Sequence, residues 1–287
     1  MNILQKYELV AKVKKPIKIG IGLNNDNSHN QIILKASLDF LKYFKSTITF
    51  FGKKEYFNNI RKQTPESKIN SQIILVECQD PETFIVDSLS KNSIHAIVRG
   101  SLSSSKFLKD LKQNLNLPEI NRLAILETIK GHQFFYGPVG IDECSNIEKK
   151  AIFIELALKE LQKINVVPNI SILSGGRLDD IGREIFIKKT IQDAINIVNL
   201  MKNKYPKLKI SHDEILIEKA IEHKSNLIIA PDGISGNLIY RTLVHLGGGK
   251  AYGAIYMGID HPIIDTSRGG DYSEFYGALL LALALSK

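Results

Sequence analysis

Segments typical of strands and of helices alternate along almost the whole of this 287-residue chain, and this alternation constrains the fold more than any other feature. Apolar runs of strand length occupy residues 17–23, 47–51, 73–76, 94–98, 123–127, 133–136, 170–173, 227–230, 253–257 and 262–265. Stretches with helical periodicity occupy residues 31–44, 56–62, 106–114, 148–164, 188–203, 213–223, 237–246 and 273–286. Alternation on this scale predicts mainly parallel sheets covered by helices, so the fold class is α/β.

The alternation restarts after Pro138, and no repeat or flexible linker interrupts it. A chain of 287 residues is long enough for two domains, since domains commonly hold about 100–200 residues each. We therefore predict two α/β domains with an interdomain cleft. Clefts of this kind are where small ligands usually bind.

The charge balance points to small anionic ligands rather than to nucleic acid. Lys and Arg number 38 against 30 Asp and Glu, which gives a formal net charge of +8. The densest lysine clusters, at residues 12–18 and 202–209, are interleaved with apolar residues and are typical of solvated helix or strand faces. No recognisable nucleic-acid module accompanies them, so we expect no nucleic-acid partner.

Cysteine usage and apolar run lengths predict a cytoplasmic protein that is not bound to a membrane. Cys78 and Cys144 lie far apart, without the paired spacing of zinc or dithiol sites. Two unpaired cysteines and no signal peptide predict a reducing compartment. The longest apolar run, residues 278–285, is much shorter than the ~20 residues that cross a bilayer, and it predicts a buried helix.

The segment with the most chemistry runs from residue 262 to residue 274. A strand ends near Thr266, a glycine turn carries Ser267 and Arg268, and a helix begins near Asp271. A hydroxyl, a guanidinium and free helix amides at one strand end suit an oxyanion or a phosphate. Glu274 has two interpretations, a catalytic carboxylate or the second half of a capping box with Asp271.

Three further turns carry similar side chains. The candidate binding residues in them are Arg99, Gly100 and Ser101 after one strand, Ser174 and Arg177 around a Gly-Gly pair, and Asp232 and Asn237 at a helix start. Each group could line an anion site, but each also has a structural interpretation. Serines at helix starts are commonly caps, glycines permit turns, and Asp179 and Asp180 could pair with Arg177 and Arg183.

Several well-known site types are absent from the sequence. Gly20-Ile-Gly22 lacks the third glycine and the acidic residue of a dinucleotide fingerprint. There is no Walker loop, nucleophile elbow or zinc-protease helix. The seven histidines show no ligand spacing, so we expect no metal site and no tightly bound cofactor.

Taken together, these segments resemble the phosphate acetyltransferase and phosphate butyryltransferase family. The residues that carry the resemblance, in matching order and spacing, are Pro231-Asp232, Gly236-Asn237, Tyr240, Gly253, Met257-Gly258, Pro262 and Ser267-Arg268-Gly269. With Ser174-Gly-Gly-Arg177 and Lys130-Gly-His132 included, the wider chain looks most like a divergent archaeal branch. That branch consists of methanogenesis-marker proteins labelled methyltransferase subunit X.

The resemblance implies a fold like that of isocitrate and isopropylmalate dehydrogenases. Domain I would span residues 1–140 and be completed by residues 264–287, with domain II at residues 141–263. It also implies a homodimer and transfer of an acyl group between an acyl phosphate and coenzyme A, which acts as a co-substrate. Small anions, namely acyl phosphate, phosphate and coenzyme A, would be the ligands.

The resemblance also implies roles for individual residues. Ser267 would assist the transition state, Arg268 would bind phosphate and Glu274 would take the thiol proton, with Gly269 in the same turn. The family usually has Asp where this chain has Glu274. The family's arginine in the helix after the Arg99 turn has no clean counterpart here.

Two other functions remain open from the sequence. The branch name suggests an accessory subunit that keeps the fold and works with methyltransferase partner subunits. Methyl transfer itself has little support, because Lys18 precedes Ile19-Gly20 where a cofactor site needs a glycine-rich turn beside an acidic residue. A metal- and nicotinamide-dependent decarboxylating dehydrogenase would need an acidic cluster, and Asp179-Asp180 is the only close pair in a plausible loop.

Overall fold

The computed structural model describes residues 1–64, 69 and 71–287. In chain order its main elements are α1 (Ile3–Lys12), β1 (Lys18–Gly22), α2 (Asn27–Tyr43), β2 (Thr47–Gly52), α3 (Asn58–Gln63), β3 (Ile73–Glu77), α4 (Pro81–Ser90), β4 (Ala96–Val98), α5 (Ser104–Asn114), β5 (Arg122–Glu127), β6 (Gln133–Gly137), α6 (Ile147–Lys163), β7 (Asn169–Ile172), α7 (Ile185–Lys204), β8 (Lys209–His212), α8 (Ile217–Glu222), β9 (Leu227–Ile229), α9 (Gly233–Arg241), β10 (Lys250–Tyr256), β11 (Ile263–Asp265) and α10 (Tyr272–Ala284).

These elements form two compact units. Unit 1 contains residues 1–120 and 251–287, and unit 2 contains residues 121–250. The sequence predicted boundaries at 140/141 and 263/264, so the structure differs by about one hairpin on one side and one strand on the other. The reason lies in strand pairing: β6 pairs in parallel with β9 of unit 2, whereas β10 pairs antiparallel with β11 of unit 1.

In unit 1 the strand order is β3-β2-β1-β4-β11-β10, parallel except for β10. The chain moves from β1 outward through β2 to β3 and then returns to β4 on the other side of β1. Crossover connections between parallel strands are right-handed, so this reversal places α2 and α4 on opposite faces. The reversal point between β1 and β4 is where ligands bind in open sheets of this kind, beyond the carboxyl ends of the strands.

The helices of unit 1 form two groups. On one face α10 packs against α1, α2 and β4, and all but a few of its side chains are buried. On the other face α4 and α5 cover an apolar cluster that includes Ile85, Leu89 and Phe107. The apolar run of residues 278–285 is therefore confirmed as a buried helix.

In unit 2 the strand order is β5-β6-β9-β7-β8. The pair β5–β6 is an antiparallel hairpin formed by two of the predicted strands, and the other neighbours are parallel. Helix α7 packs against α6 and β8, with Ile191, Ile197 and Met201 buried. The carboxyl ends of β7 and β9 lead into the segments that carry the predicted site residues of this unit.

No helix among the described residues is long and apolar enough to cross a membrane.

Candidate active site

Seven of the predicted site residues lie in unit 1, where the parallel strands β4 and β11 end side by side. Arg99, Gly100 and Ser101 follow β4, and the remaining four lie between β11 and the first turn of α10. Those four are Ser267, Arg268, Gly269 and Glu274. Because β1 also runs parallel to β4, its carboxyl end lies at the same edge. This edge coincides with the reversal of strand order.

The Ser267 turn is held by a carboxylate from α10. Oε1 of Glu274 accepts a hydrogen bond of 2.7 Å from the Ser267 backbone N–H, and Glu274 is buried. The backbone N–H of Gly269 donates to Oγ of Ser267 at 3.2 Å. A hydroxyl carries one donor proton in addition to its acceptor capacity. Oγ of Ser267 therefore accepts from the turn while its proton stays available for a ligand.

Arg268 and Glu274 occupy opposite environments. Arg268 is exposed, and its side chain forms no hydrogen bond or ion pair with the residues that the structure describes. Glu274 is only 3% exposed, and a Cβ at Gly270 would lie 2.4 Å from its Oε2, so glycine leaves room for the carboxylate. Asp271 caps α10 by accepting from the Glu274 N–H at 3.1 Å, which confirms the predicted helix start. The side chain of Glu274 also reaches back to Ser267 and holds the turn.

Arg99 is 4% exposed and contacts acceptors within unit 1. Its guanidinium donates to Oδ1 of Asp265, to the Thr266 carbonyl and, at 2.5 Å, to the Leu102 carbonyl. Burial is the largest influence and opposes the charge, but the charge and hydrogen bond of Asp265, together with Tyr256 and Glu274, raise the pKa of Arg99 overall. These contacts favour a positioning role for Arg99, joining the loops after β4 and β11, over the direct phosphate contact predicted from the sequence.

Gly100 and Ser101 join the loop after β4 to the loop after β1. Gly100 has a φ of +67°, and a Cβ there would lie 2.1 Å from the Gly22 carbonyl oxygen. Oγ of Ser101 accepts from the Asn24 N–H at 3.0 Å and donates to Oδ1 of Asn30 at 3.3 Å. Gly100 and Ser101 thus make contacts within the protein, and their contacts with a ligand stay a prediction.

His29 lies at the same edge, and sequence reasoning passed over it as one of seven unpatterned histidines. It stands in the first turn of α2, is 6% exposed and packs edge-on against Phe275, with ring centroids 5.0 Å apart. Its Nε2 is buried with no hydrogen-bond partner among the described residues. Burial lowers the pKa of His29, Arg99 adds to this effect and Asp26 opposes it. The polar turn just before α2 was the only signal in the sequence.

In unit 2, Ser174 and Arg177 lie in the loop after β7. Ser174 is buried, and its Oγ donates to the Gly176 carbonyl at 2.8 Å and lies 2.8 Å from Nε2 of His212. The Arg177 side chain is exposed, while its backbone N–H donates to Asp180 at 2.8 Å. Asp180 also pairs with Arg183 at 3.0 Å, as the structural interpretation of this loop predicted. Most of the polar contacts of this loop are therefore made between its own residues.

Asp232 and Asn237 also lie in unit 2, and both make structural contacts. Asp232 caps α9 by accepting from the Ser235 N–H at 2.8 Å. The side-chain amide of Asn237 donates to the Val139 carbonyl at 2.9 Å. These contacts do not prevent either residue from contacting a ligand. Each residue also has a role in the fold, which the sequence pattern could not distinguish from a role in binding.

Within the described part of the chain, no group of three or more His, Cys, Asp or Glu residues could hold a metal ion. Asp179-Asp180, the pair required by the dehydrogenase alternative, lies in a short 3₁₀ turn next to Arg177. Asp180 is already engaged by Arg183 and by the Arg177 backbone.

Comparison with known proteins identifies relatives along nearly the whole chain. The family model described as "Phosphate acetyl/butaryl transferase" matches residues 11–283. A Methanosarcina mazei protein named "Putative methyltransferase mtx subunit X" is 41% identical over 221 residues, which cover 76% of each chain. A phosphate acetyltransferase of Acetivibrio thermocellus is 23% identical over 223 residues, covering 69% of this chain and 66% of that one.

The fold has counterparts among solved structures. The crystal structure of a phosphotransacetylase from Streptococcus pyogenes superposes with a TM-score of 0.70 at 16% identity, covering 99% of this chain and 98% of that chain. At this identity the match concerns the fold alone. It confirms the predicted fold class, including its likeness to phosphotransacetylases.

Proposed function

Because the chain belongs to the phosphate acetyl/butyryl transferase family, we propose that it transfers an acyl group between an acyl phosphate and coenzyme A. The observation that carries the proposal is the turn after β11. It presents the exposed Arg268 next to Ser267. Glu274 holds Ser267 in place by accepting a hydrogen bond from its backbone N–H. A guanidinium beside a hydroxyl at the reversal point of the sheet suits a phosphoryl group attached to an acyl carbon.

In the proposed reaction the thiolate sulfur of coenzyme A attacks the carbonyl carbon of the acyl phosphate. A carbon–sulfur bond forms, the bond from that carbon to the phosphate oxygen breaks, and inorganic phosphate leaves. The Ser267 hydroxyl donates a hydrogen bond to the carbonyl oxygen, on which negative charge develops. Arg268 binds the phosphate before and after it leaves, because a guanidinium offers parallel donors to two phosphate oxygens.

Glu274 enters this mechanism as a positioning residue. The resemblance implied that it removes the thiol proton, but it is buried and its Oε1 already accepts from Ser267. A base acting on a thiol must reach that proton in the bound complex. A small fraction of a free thiol is already ionised at pH 7, so the thiolate can arise without Glu274.

The test is a thioester assay on the purified chain with coenzyme A and a panel of acyl phosphates from acetyl to branched chains. Ser267→Ala should lower turnover by roughly 100-fold or more, the loss typical of one oxyanion donor. Arg268→Gln should weaken use of the acyl phosphate. Arg183→Gln, an exposed arginine of unit 2 paired with Asp180, is the matched control and should retain activity. Full activity in both site variants would overturn the assignment.

A second function is favoured by the name of the Methanosarcina mazei relative. On that alternative, the chain is an accessory subunit that binds coenzyme A or phosphate and acts with methyltransferase partner subunits. Coenzyme A would then raise the melting temperature, while no acyl phosphate of the panel would yield thioester. Co-purification with a methyltransferase from the native cells would support this alternative directly.

Three properties accompany the acyltransferase proposal. Coenzyme A is a co-substrate rather than a tightly bound cofactor, the chain forms a homodimer, and it works in the cytoplasm. The dimer can be tested by light scattering during gel filtration, where a mass close to twice 32.2 kDa is expected.

A further inference from the structure

Unit 2 contains a cavity to which the mechanism proposed above gives no step, although the candidate site residue Asp232 lines it. Its volume is about 450 Å³, within the range of small-molecule sites. Its walls come from the loop before α6, the first turns of α6 and α7, and the start of α9. Ile141, Phe186 and Ile234 give it an apolar lining, and these three side chains are exposed in unit 2. The cavity is thus open to molecules from solution.

Lys150 is the unusual side chain in this wall. It is 4% exposed, and its Nζ donates one hydrogen bond of 2.7 Å, to the Pro231 carbonyl. No carboxylate within the described residues lies at ion-pairing distance from it. An ammonium group has three donors, and leaving two of them buried and unused costs several kcal/mol in general. A neutral amine has one donor fewer and no charge to bury, so it loses less when its only hydrogen bond is the one to Pro231.

The charges around Lys150 act in both directions. Burial lowers the pKa of Lys150 and is the largest influence, and Lys189 adds to it. Cys144, Asp193 and Asp232 oppose it. Asp193 is paired with Lys189 at 2.8 Å, and Asp232 is engaged in capping α9, so neither carboxylate neutralises Lys150 by direct contact. The net effect is a lysine that loses its proton more readily than an exposed one.

The same charges indicate which ligands suit the cavity. Four acidic residues line it, Asp142, Glu143, Asp193 and Asp232, against two basic ones, Lys150 and Lys189. Acidic side chains remain in excess when Arg122, which pairs with Glu143 at 2.7 Å, is included, and this excess disfavours carboxylates and phosphates. The apolar wall favours a short carbon chain. An uncharged carbonyl compound therefore fits better than an anionic one.

We propose that Lys150 is a reactive amine that forms an imine with a small uncharged aldehyde or ketone held in this cavity. The amine lone pair attacks the carbonyl carbon and a carbon–nitrogen bond forms. The carbonyl oxygen then leaves as water, taking both protons of the neutral amine, and a carbon–nitrogen double bond remains. No oxidant or reductant takes part. Asp193 and Asp232 line the same cavity and can relay these protons.

The experiment treats the full chain with isobutyraldehyde and sodium cyanoborohydride, which reduces the imine to a stable amine, and follows each lysine by peptide mass spectrometry. Lys159 is the reference, because it lies exposed on the same helix α6. At pH 7 we expect Lys150 to be modified at least 10-fold faster than Lys159. The ratio should shrink near pH 10, where ordinary lysines lose their protons.

Two comparisons make the test decisive. With pyruvate, an anionic carbonyl compound of similar size, the ratio of Lys150 to Lys159 labelling should be smaller than with isobutyraldehyde, and the ratio cancels the lower intrinsic reactivity of a ketone. Lys150→Met should abolish the fast labelling, whereas Lys159→Met should leave it intact. The wild-type ratio stands by itself if Lys150→Met does not fold. Modification of Lys150 no faster than Lys159 would overturn the reactive amine, and equal labelling by pyruvate would overturn the ligand class.

Discussion

Two arginines that look equivalent in the sequence have different tasks in the structure. Arg99 and Arg268 each follow a strand and precede a glycine, so both were predicted to contact substrate. Arg99 is buried against Asp265 and two carbonyl groups, whereas Arg268 is exposed. Burying a guanidinium is costly unless its donors are satisfied, and here they are satisfied by the protein itself. The exposed arginine is therefore the one available to a phosphate.

The role of Glu274 can be separated from that of a base by two substitutions. Glu274→Gln keeps an oxygen that can accept from the Ser267 N–H, so turnover in the thioester assay should fall by less than about 10-fold. Glu274→Ala removes the acceptor and leaves a buried donor unmatched. It should lower the free energy of unfolding by about 1–3 kcal/mol and reduce turnover much further.

Thioester assays and urea unfolding on both variants provide the measurement. A base role predicts that Gln is as inactive as Ala, since neither side chain can take a proton. Equal loss of turnover in the two variants, with the fold retained, would therefore contradict the positioning role.

His29 should make the stability of the protein depend on pH. Its pKa is lowered in the folded state, mainly by burial, so protonation favours the unfolded chain. The contribution of the neutral ring is complete above about pH 6.5, the ordinary histidine pKa, and is lost as the pH falls below it. For one proton the slope is at most about 1.4 kcal/mol per pH unit.

Urea unfolding of the wild type and of His29→Phe between pH 7.5 and 5.0 measures this effect. Phenylalanine keeps the edge-on packing against Phe275 but cannot take a proton. His212, whose pKa is also lowered by burial, contributes to both proteins and cancels in the comparison. Parallel pH profiles for the two proteins would show that His29 is not the group responsible.

Local patterns in the sequence were sufficient to predict the Ser267 turn, but not the contacts that the site residues make with distant parts of the chain. The strand end, the glycine turn and the Asp271 cap all follow from neighbouring residues, and the structure confirms them. Arg99 is held by residues 166 and 167 positions away, and Ser101 by residues 71 and 77 positions away. The spacing of residues along the sequence does not reveal such distant contacts. Neither the burial of these side chains nor their hydrogen bonds within the protein could therefore be predicted.

At the scale of elements, periodicity was the stronger guide. The structure has a strand at every predicted strand segment and a helix at or within each predicted helical one, with displaced ends. The prediction for residues 213–223 is too long, because α8 starts at Ile217 after a left-handed Glu214. Helices α1 and α4 were missed, although Asn2 with Gln5 forms a capping box and Asp80-Pro81 is a standard helix start.

Gly100 offers a test of how closely the β4 and β1 loops approach. Gly100→Ala would bring a Cβ to 2.1 Å from the Gly22 carbonyl and also strain a residue with positive φ. We expect it to lower the free energy of unfolding by about 3 kcal/mol or more. Gly131→Ala is the matched control, since Gly131 has a φ of +82° but nothing within 4 Å of the added Cβ.

Gly131→Ala should lower the free energy of unfolding only by the cost of a positive φ, about 1–2 kcal/mol. Chemical denaturation of the two variants gives the difference that belongs to the close approach alone. If Gly100→Ala were no less stable than Gly131→Ala, the loops would not be packed as described.

At the scale of the whole chain, the sequence predicted two α/β domains, and the two units of the structure divide about one hairpin and one strand away from the predicted boundaries. No local feature of the sequence assigns the hairpin β5–β6 to one unit or the other. Its assignment depends on the pairing of β6 with β9, which lies about ninety residues further along the chain. The same holds for β10, whose antiparallel pairing with β11 links it to unit 1. Patterns along the chain identify strands, but the choice of neighbours is made by the tertiary fold.

The two units differ in continuity, and this difference predicts how fragments of the chain behave. Unit 2 is one continuous segment, residues 121–250, with its own sheet and buried helices. Unit 1 needs residues 251–287, because α10 packs against α1, α2 and β4 and covers their apolar side chains. We therefore expect the fragment 121–250 to fold cooperatively alone and the fragment 1–120 to remain unfolded.

Circular dichroism and urea unfolding of the separate fragments measure this, and addition of a peptide spanning 251–287 to fragment 1–120 provides the complementary arm. The peptide should restore helical signal to fragment 1–120, since α10 is buried almost throughout its length and an exposed α10 would leave a large apolar surface in water. Cooperative folding of 1–120 without the peptide would show that α10 is dispensable for unit 1. A non-cooperative transition in 121–250 would show that its core depends on the rest of the chain.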